Sequence, residues 1–336
     1  MIIVSAIAQT TVCQCSVFLE KTRAYLLNSH SDKKYLVAAF YKFVPLPDYR
    51  VVRESLQQRC EELNLLGSIL LAGEGINGTV SGRGQDVRRL FESLRSDERL
   101  RDLHYKESRA DEQPFYRMKV RLKKEIVSLG VDGIDPNRVV GEYVSPQDWN
   151  ELISREDVRL VDTRNHYEHH LGTFKGAEDP DTGSFRDFPQ WVADNLDPET
   201  DQNVAMFCTG GIRCEKATSY LLDRGFRNVY HLDGGILNYL ENVNKEESLW
   251  EGDCFVFDNR VTVDHDLAEG DFEVCPACRM PLTEEDRESS LFELHVSCPR
   301  CHDRLTEKKR EGLLERARQI KLAAERGERH IGVKAG

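Results

Sequence analysis

No apolar run in this 336-residue chain approaches the about 20 residues that a membrane-spanning helix needs, so a span is not expected. Residues 1–8 are apolar but lack a basic start and a small-residue cleavage site, which argues against a secretory signal. Spaced glycines of the dinucleotide-binding kind are also missing, and no flavin, haem or nucleotide cofactor is expected. Positive charge is in deficit: 46 Lys and Arg stand against 58 Asp and Glu, a net charge of −12. That excludes a generally basic surface but not a nucleic-acid partner, because phosphate contacts need only a local patch. What is present suits a globular protein with one large core or two to three small ones: 40% apolar and 31% charged residues. Ten cysteines, four of them in two C-x-x-C pairs, fit a reducing compartment, and the cytoplasm is the expected location.

The most informative stretch is Cys208–Thr209–Gly210–Gly211–Ile212–Arg213–Cys214. The apolar run Val204–Ala205–Met206–Phe207 before it has the character of a buried strand. After it, Ala217, Tyr220, Leu221 and Leu222 recur at helical spacing up to the stop at Gly225. A cysteine is thereby placed at the carboxyl end of a strand, on a tight glycine turn that opens a helix. Inward-pointing N–H groups and the positive end of the helix both favour thiolate over thiol. Cys208 is therefore the expected nucleophile. Thr209, Gly210, Gly211 and Ile212 should form its anion cradle, with Arg213 as a fixed cation at the rim. A phosphatase loop needs one more residue between cysteine and arginine. This six-residue loop suits a single terminal sulfur or oxygen instead. Cys214 is either an accessory thiol that resolves an oxidised Cys208 or a packing residue at the helix start.

Residues 1–33 have no clean periodicity and form an expected leader, with Cys13 and Cys15 as incidental thiols. Residues 34–126 alternate as β-α-β-β-α-β, a ferredoxin-like arrangement. Its strands are expected at residues 35–44, 67–71, 79–80 and 118–122. Asp48 should cap the first helix, striped by Val52, Leu56, Cys60 and Leu63; Val87, Leu90, Phe91 and Leu94 mark the second. Asn77–Gly78 is a hairpin signal. Arg117, Lys119, Arg121 and Lys123 should share one strand face as a candidate RNA contact, leaving Met118, Val120 and Leu122 for the core. A linker is expected over 127–144, and a second domain over 145–245 that opens with a Ser145–Pro146 helix start. Within it, the run of histidines around Glu168 is expected to be structural or substrate-lining rather than metal-binding. In the next region, 246–306, a short strand is expected at residues 255–258. Cys275, Cys278, Cys298 and Cys301 follow as two knuckles 19 residues apart, pointing to a closed structural zinc site over a redox pair. His265, His295 and His302 are the substitutes should a cysteine be displaced. Residues 307–336 form a basic helical tail whose apolar side carries Leu313, Leu314, Ala317, Ile320, Ala323 and Ala324.

The loop at Cys208, Asp162–Thr163–Arg164, Gly176–Ala177 and Gly234–Gly235–Ile236 together resemble rhodanese domains, continuously from about residue 145 to 242. The resemblance implies a parallel α/β fold, a persulfide on Cys208 and accessory places for Asp162 and Arg164. Taken with Phe40–Tyr41–Lys42, Glu74–Gly75–Ile76–Asn77, Arg117–Met118–Lys119–Val120, Gly141–Glu142–Tyr143, and Phe255–Val256–Phe257–Asp258 with Arg260, the chain resembles the rhodanese-related tRNA uridine hydroxylases. That resemblance implies an α/β protein with an acylphosphatase-like first domain. It also implies oxygen-dependent formation of 5-hydroxyuridine at wobble position 34, with molecular oxygen as co-substrate and the tRNA anticodon loop as partner. The competing reading is a thiosulfate or persulfide sulfurtransferase acting on small thiols, for which the additional domains would be superfluous. A third is a non-catalytic RNA-binding module, which has no use for an activated cysteine.

Overall fold

The computed structural model describes residues 34–327; the expected leader with Cys13 and Cys15, and the end of the tail, lie outside the described residues. The first domain runs β1 (Tyr35–Phe43), α1 (Tyr49–Glu62), β2 (Leu66–Ala72), β3 (Gly75–Gly82), α2 (Gly84–Arg95), β4 (Lys106–Ala110) and β5 (Met118–Leu122). Its sheet has the order β4-β1-β3-β2-β5, antiparallel except where β5 lies parallel to β2. Strand alternation sends Leu36, Ala38 and Phe40 of β1 to the face covered by Leu56 and Cys60 of α1 and by Val87, Leu90, Phe91 and Leu94 of α2. Phe91 sits at the centre, edge-on to Phe40 at 5.0 Å and stacked on Tyr105 at 4.0 Å. Truncating it to alanine would cost about 3–5 kcal/mol.

Several local expectations are corrected. The strand that closes the ferredoxin-like pattern is β4, beside β1; Met118–Leu122 is a fifth strand on the opposite edge. Asn77 and Gly78 lie inside β3, opposite Tyr41 and Phe40, so the hairpin turn falls at Gly73–Glu74. Asp48 makes no capping bond to α1; its carboxylate accepts from Arg99 Nη2 at 3.1 Å instead. On β5 the core takes Val120 and part of Met118, whereas Leu122 is exposed because it stands at the strand's end on an edge.

The second domain comprises β6 (Glu142–Val144), α3 (Pro146–Ile153), β7 (Arg159–Asp162), α4 (His166–His169), β8 (Gly172–Phe174), α5 (Phe188–Asn195), β9 (Asn203–Phe207), α6 (Ile212–Asp223), β10 (Asn228–Leu232) and α7 (Gly235–Asn242). Strands β6-β10-β9-β7 form a parallel sheet in that order, and β6 begins inside the stretch read as linker. Ser145 caps α3 as expected, its hydroxyl accepting from the Asp148 N–H. The continuous apolar run in β9 has a physical cause, since both faces of the strand are covered. Val204 and Met206 pack with Ala217, Tyr220 and Leu221 of α6, while Ala205 and Phe207 pack with Ile236 and Tyr239 of α7.

Beyond α7 the chain folds back, pairing β11 (Trp250–Gly252) with β8. Two small hairpins follow, β12 (Cys254–Phe255) with β13 (Thr262–Val263) and β14 (Glu273–Val274) with β15 (Pro281–Leu282). The strand expected over 255–258 stops at Phe255, because the Val256 N–H turns to the Val261 carbonyl at 2.8 Å. A short helix, α8 (Glu284–Glu288), precedes α9 (Glu307–Glu325), the described part of the tail. Leu313 and Ala317 of α9 dock on the cysteine cluster, but Leu314, expected on the same side, is exposed.

The two larger domains meet through charge. Lys216 of α6, 1% exposed, donates to both oxygens of Glu74 at 2.9 and 2.8 Å, to Glu125 at 2.6 Å and to the Val127 carbonyl at 3.2 Å. Glu74 also accepts the Ile126 N–H at 2.7 Å. The junction stands beside the carboxyl ends of β7 and β9.

Candidate active site

Strand β9 ends at Phe207 and α6 starts at Ile212, so residues 208–211 must reverse the chain in one tight turn. Its carbonyls are tied off from outside. The Ile236 N–H donates to the Cys208 carbonyl at 2.9 Å, and the Leu237 N–H to Thr209 at 3.1 Å. Lys106 Nζ, from β4 of the first domain, donates to Gly210 at 2.9 Å. With the carbonyls turned outward, the amides turn inward, and the Gly211 N–H donates to Cys208 Sγ at 3.1 Å. Gly211 has φ +103°, and a Cβ there would stand 2.6 Å from the Tyr41 hydroxyl, so glycine is required on two counts.

Cys208 is 1% exposed, yet it lines a cleft of about 930 Å³ at the domain junction, together with Tyr41, Lys106, Lys123, Glu215 and Phe257. Burial by itself would raise its pKa. The Cys214 thiol, the Arg213 charge and the N–H groups of Cys214 and Gly211 outweigh that and hold it well below the ordinary thiol value. Cys214 is raised by burial and by its neighbour Cys208. Cys214 also lies 3.5 Å from Thr163 Oγ1.

Arg213 lines the cleft, but not as a free cation. It is buried, forking onto Glu168 with both contacts at 2.7 Å and reaching Thr209 Oγ1 at 3.4 Å. Glu168 occupies the third position of the one-turn helix α4 and closes its capping box by accepting the Asn165 N–H at 3.2 Å. Burial would raise the Glu168 carboxyl, but Arg213 keeps it below the usual carboxylate range. This buried partner, 45 residues away in sequence, is why the guanidinium is not free at the cleft. Ile212 lines the cleft too, and its side chain packs with Phe43, Ala72 and Ile126 of the first domain. Asp162 and Arg164 form a wholly buried pair at 2.6 Å, with Arg164 also on the Gly172 carbonyl; neither lines the cleft, and they brace the end of β7.

Of the four basic residues proposed for RNA, Lys123 lines the cleft; Arg117, Lys119 and Arg121 do not. Residues the sequence reading left without a role are drawn in. Lys106 has its pKa pushed down to about 8, chiefly by burial against the pull of Cys208. The Tyr41 hydroxyl donates to Glu215 at 2.7 Å, and burial raises the Glu215 pKa although Tyr41 and Tyr143 oppose it. Tyr41, Tyr143 and Phe257 stand in the motifs given above, which was the available signal; Glu215 and Lys106 had none.

Cys275, Cys278, Cys298 and Cys301 converge with ligand atoms within 4.8 Å of one another. Three Sγ pairs lie at 3.7, 3.6 and 3.8 Å. A tetrahedral zinc thiolate site with about 2.3 Å bonds has edges of about 3.8 Å, so the four residues fit zinc. Residues 298–302 also spell C-x-x-C-H, the haem-attachment spacing, contrary to the expectation that no haem motif is present. The geometry turns both of those sulfurs to the other knuckle instead.

Residues 35–126 match the UPF0176 acylphosphatase like domain family and residues 145–242 the rhodanese-like domain family. Among solved structures, the rhodanese-like domain of an Anabaena protein is 17% identical, covering 33% of this chain and 78% of that one with a TM-score of 0.28. BlrB, a BLUF protein, is 17% identical over 27% of this chain and 73% of its own, with a TM-score of 0.25. No helix among the described residues is long and apolar enough to cross a membrane. The tRNA uridine(34) hydroxylase of Teredinibacter turnerae is 56% identical over 301 residues, 90% of this chain and 94% of that protein. With that extent of identity, and both domains in place, the chain belongs to the tRNA uridine(34) hydroxylase family.

Proposed function

We propose that this protein is an oxidoreductase that hydroxylates uridine 34 of tRNA at carbon 5, with molecular oxygen as co-substrate and Cys208 as the catalytic nucleophile. The observation that carries the reading is the Cys208 loop: a sulfur held anionic by amides, opening on a cleft between two domains. A sulfur anion is a strong nucleophile toward carbon 6 of a pyrimidine, and its addition makes carbon 5 electron-rich. The persulfide implied by the rhodanese likeness would present the same charge one atom further into the cleft. In the net reaction a C–H bond at carbon 5 becomes C–OH. The second oxygen atom leaves as water, taking two protons and two electrons from an external reductant. Elimination of the sulfur restores the ring double bond and returns Cys208 to its starting form.

The cleft supports an anionic polymer as substrate. Its lining mixes carboxylates with five cations, of which Lys42, Arg213 and Arg260 are held by Asp102, Glu168 and Asp258, so that Lys123 and Lys106 remain for phosphate contacts. A base in an anticodon loop reaches such a site by splaying out of its stack. The four-cysteine site is structural in this reading: when bound, zinc closes its coordination with four thiolates and contributes folding energy.

The test is conversion of an unmodified tRNA transcript by the purified full chain supplied with an excess of a thiol reductant as electron donor, with nucleosides resolved by mass spectrometry. Wild type should yield 5-hydroxyuridine at position 34 in air and not under nitrogen, and Cys208→Ser should yield none. Conversion by chelator-treated Cys208→Ser would end the proposal. An unchanged anticodon together with sulfur transfer from thiosulfate to a small thiol would favour the sulfurtransferase instead.

A further inference from the structure

Phe257 and Tyr143 are the exposed large apolar side chains among the described residues that also line the cleft. Tyr143 is turned to Glu215. Phe257 is 63% exposed although its neighbours Phe255 and Val256 are buried, so its ring is left in water where burial was available two residues away. The ring is also held in place. The turn that carries it is closed by the Val256 N–H on Val261 and by Arg260, which donates to Asp258 at 2.9 and 2.6 Å and to Ser108 Oγ at 2.8 Å. The Asn259 N–H adds a bond to the Pro114 carbonyl at 3.1 Å, so the segment is clasped by the first domain. Phe255 meets Phe257 edge-on at 5.1 Å, and Arg213 Cζ, part of the Cys208 loop, lies 5.9 Å from its centroid.

We infer that Phe257 is the platform on which the target pyrimidine stacks beside Cys208, an assignment that rests on the tRNA reading above. A base that leaves its helix loses its stacking partners, and an aromatic face returns that interaction for any base without reading its edge. Of the lining cations, Lys42, Arg213 and Arg260 are held by Asp102, Glu168 and Asp258, whereas Lys106 and Lys123 have no carboxylate partner and suit the phosphates on either side of the flipped nucleotide. An aromatic ring with lysines free of carboxylate partners beside it is an arrangement that single-stranded RNA sites use.

The test compares binding of two anticodon stem-loop RNAs, one with uridine and one with an abasic residue at position 34, to full-length wild type, Phe257→Ala, Phe257→Leu and Phe257→Trp. Wild type should prefer the uridine RNA by about ten-fold or more. Phe257→Ala should erase that preference to within about two-fold, Phe257→Leu should retain part of it and Phe257→Trp should keep it. Each preference is a ratio within one preparation, so partial misfolding cancels. A preference that persists in Phe257→Ala overturns this assignment and leaves the hydroxylase reading standing. So does a wild type that converts position 34 but binds both RNAs alike. A wild type that neither prefers nor converts uridine 34 overturns both.

Discussion

Replacing Arg213 separates what its charge does for Cys208 from what it does for the fold. Arg213→Met strips the guanidinium from a carboxylate, Glu168, that is 0% exposed and meets it at 2.7 Å on both oxygens. Breaking a buried pair from one side costs about 3–5 kcal/mol. In the double variant Arg213→Met with Glu168→Gln, the amide keeps the acceptor for the Asn165 N–H and no unpaired carboxylate is left at position 168, so more than half of that loss should return. Trp149, Trp191 and Trp250 all lie in or beside the second domain, so urea unfolding followed by tryptophan fluorescence reads the relevant stability. Reactivity should behave differently. Loss of a nearby cation raises the Cys208 pKa by roughly one to three units, and each unit removes about ten-fold of the thiolate at any pH below both values. Iodoacetamide labelling of Cys208 below pH 5, the region of its own lowered pKa, should therefore slow by about three-fold or more in the single variant, once the greater nucleophilicity of the higher-pKa thiolate is allowed for, and stay slow in the double. At a pH well above the raised value the difference should vanish. Labelling that recovers together with stability would refute the electrostatic role and leave Arg213 a purely structural residue.

Three further outcomes are expected. The protein should carry one zinc per chain, and Cys275→Ser should lose it and raise amide exchange in α9, where Leu313 packs on the cysteines, while Cys208 labelling stays as it was. Exchange unchanged after metal loss would contradict a structural site. Lys216→Met leaves Glu74 and Glu125 facing each other without their cation, which should cost about 3–5 kcal/mol and expose residues 127–141 to limited proteolysis. An unaltered digestion pattern would show that the domains are held by other contacts. Lys123→Ala should weaken stem-loop binding and reduce the slope of log affinity against log salt by about one, with a smaller effect for Arg117→Ala, since only Lys123 lines the cleft. Equal effects would move the RNA path off the cleft and onto the outer face of β5.

What the sequence made legible was written locally. The Cys208 turn is flanked by a doubly buried strand and a glycine-started helix, and the stripe of Val87, Leu90, Phe91 and Leu94 is the buried face of α2 residue for residue. The two knuckles needed only their spacing. What stayed hidden depended on partners far along the chain. β4 is Lys–Glu–Ser–Arg–Ala, an edge strand paired on one side to β1, so it has no apolar alternation to find. Asn77–Gly78 carries the letters of a hairpin, but a Cβ at Gly78 would meet the Ser68 carbonyl at 2.8 Å and the Phe40 ring at 3.0 Å. That glycine serves close packing within the sheet rather than a turn. The pairing of Arg213 stayed hidden because nothing near it in sequence announces Glu168 as a buried partner.

The first domain is part of the site rather than an attachment to it. Three carbonyls must be turned out for the amides of the Cys208 loop to face the sulfur. Helix α7 takes two of them, and the third, on Gly210, is taken by Lys106 from β4. Tyr41 then fills the space that a side chain on Gly211 would need and donates to Glu215, which the cleft wall's other tyrosine, Tyr143, also meets. Lys216, the next residue on α6, is spoken for by Glu74 and Glu125. Three consecutive features of one helix start are therefore completed by residues from across the junction. A rhodanese-type loop that acts on small anions has no need of such a neighbour, whereas one that must receive a nucleotide needs a second wall. The cleft between Cys208 and Lys123 exists because that wall is there.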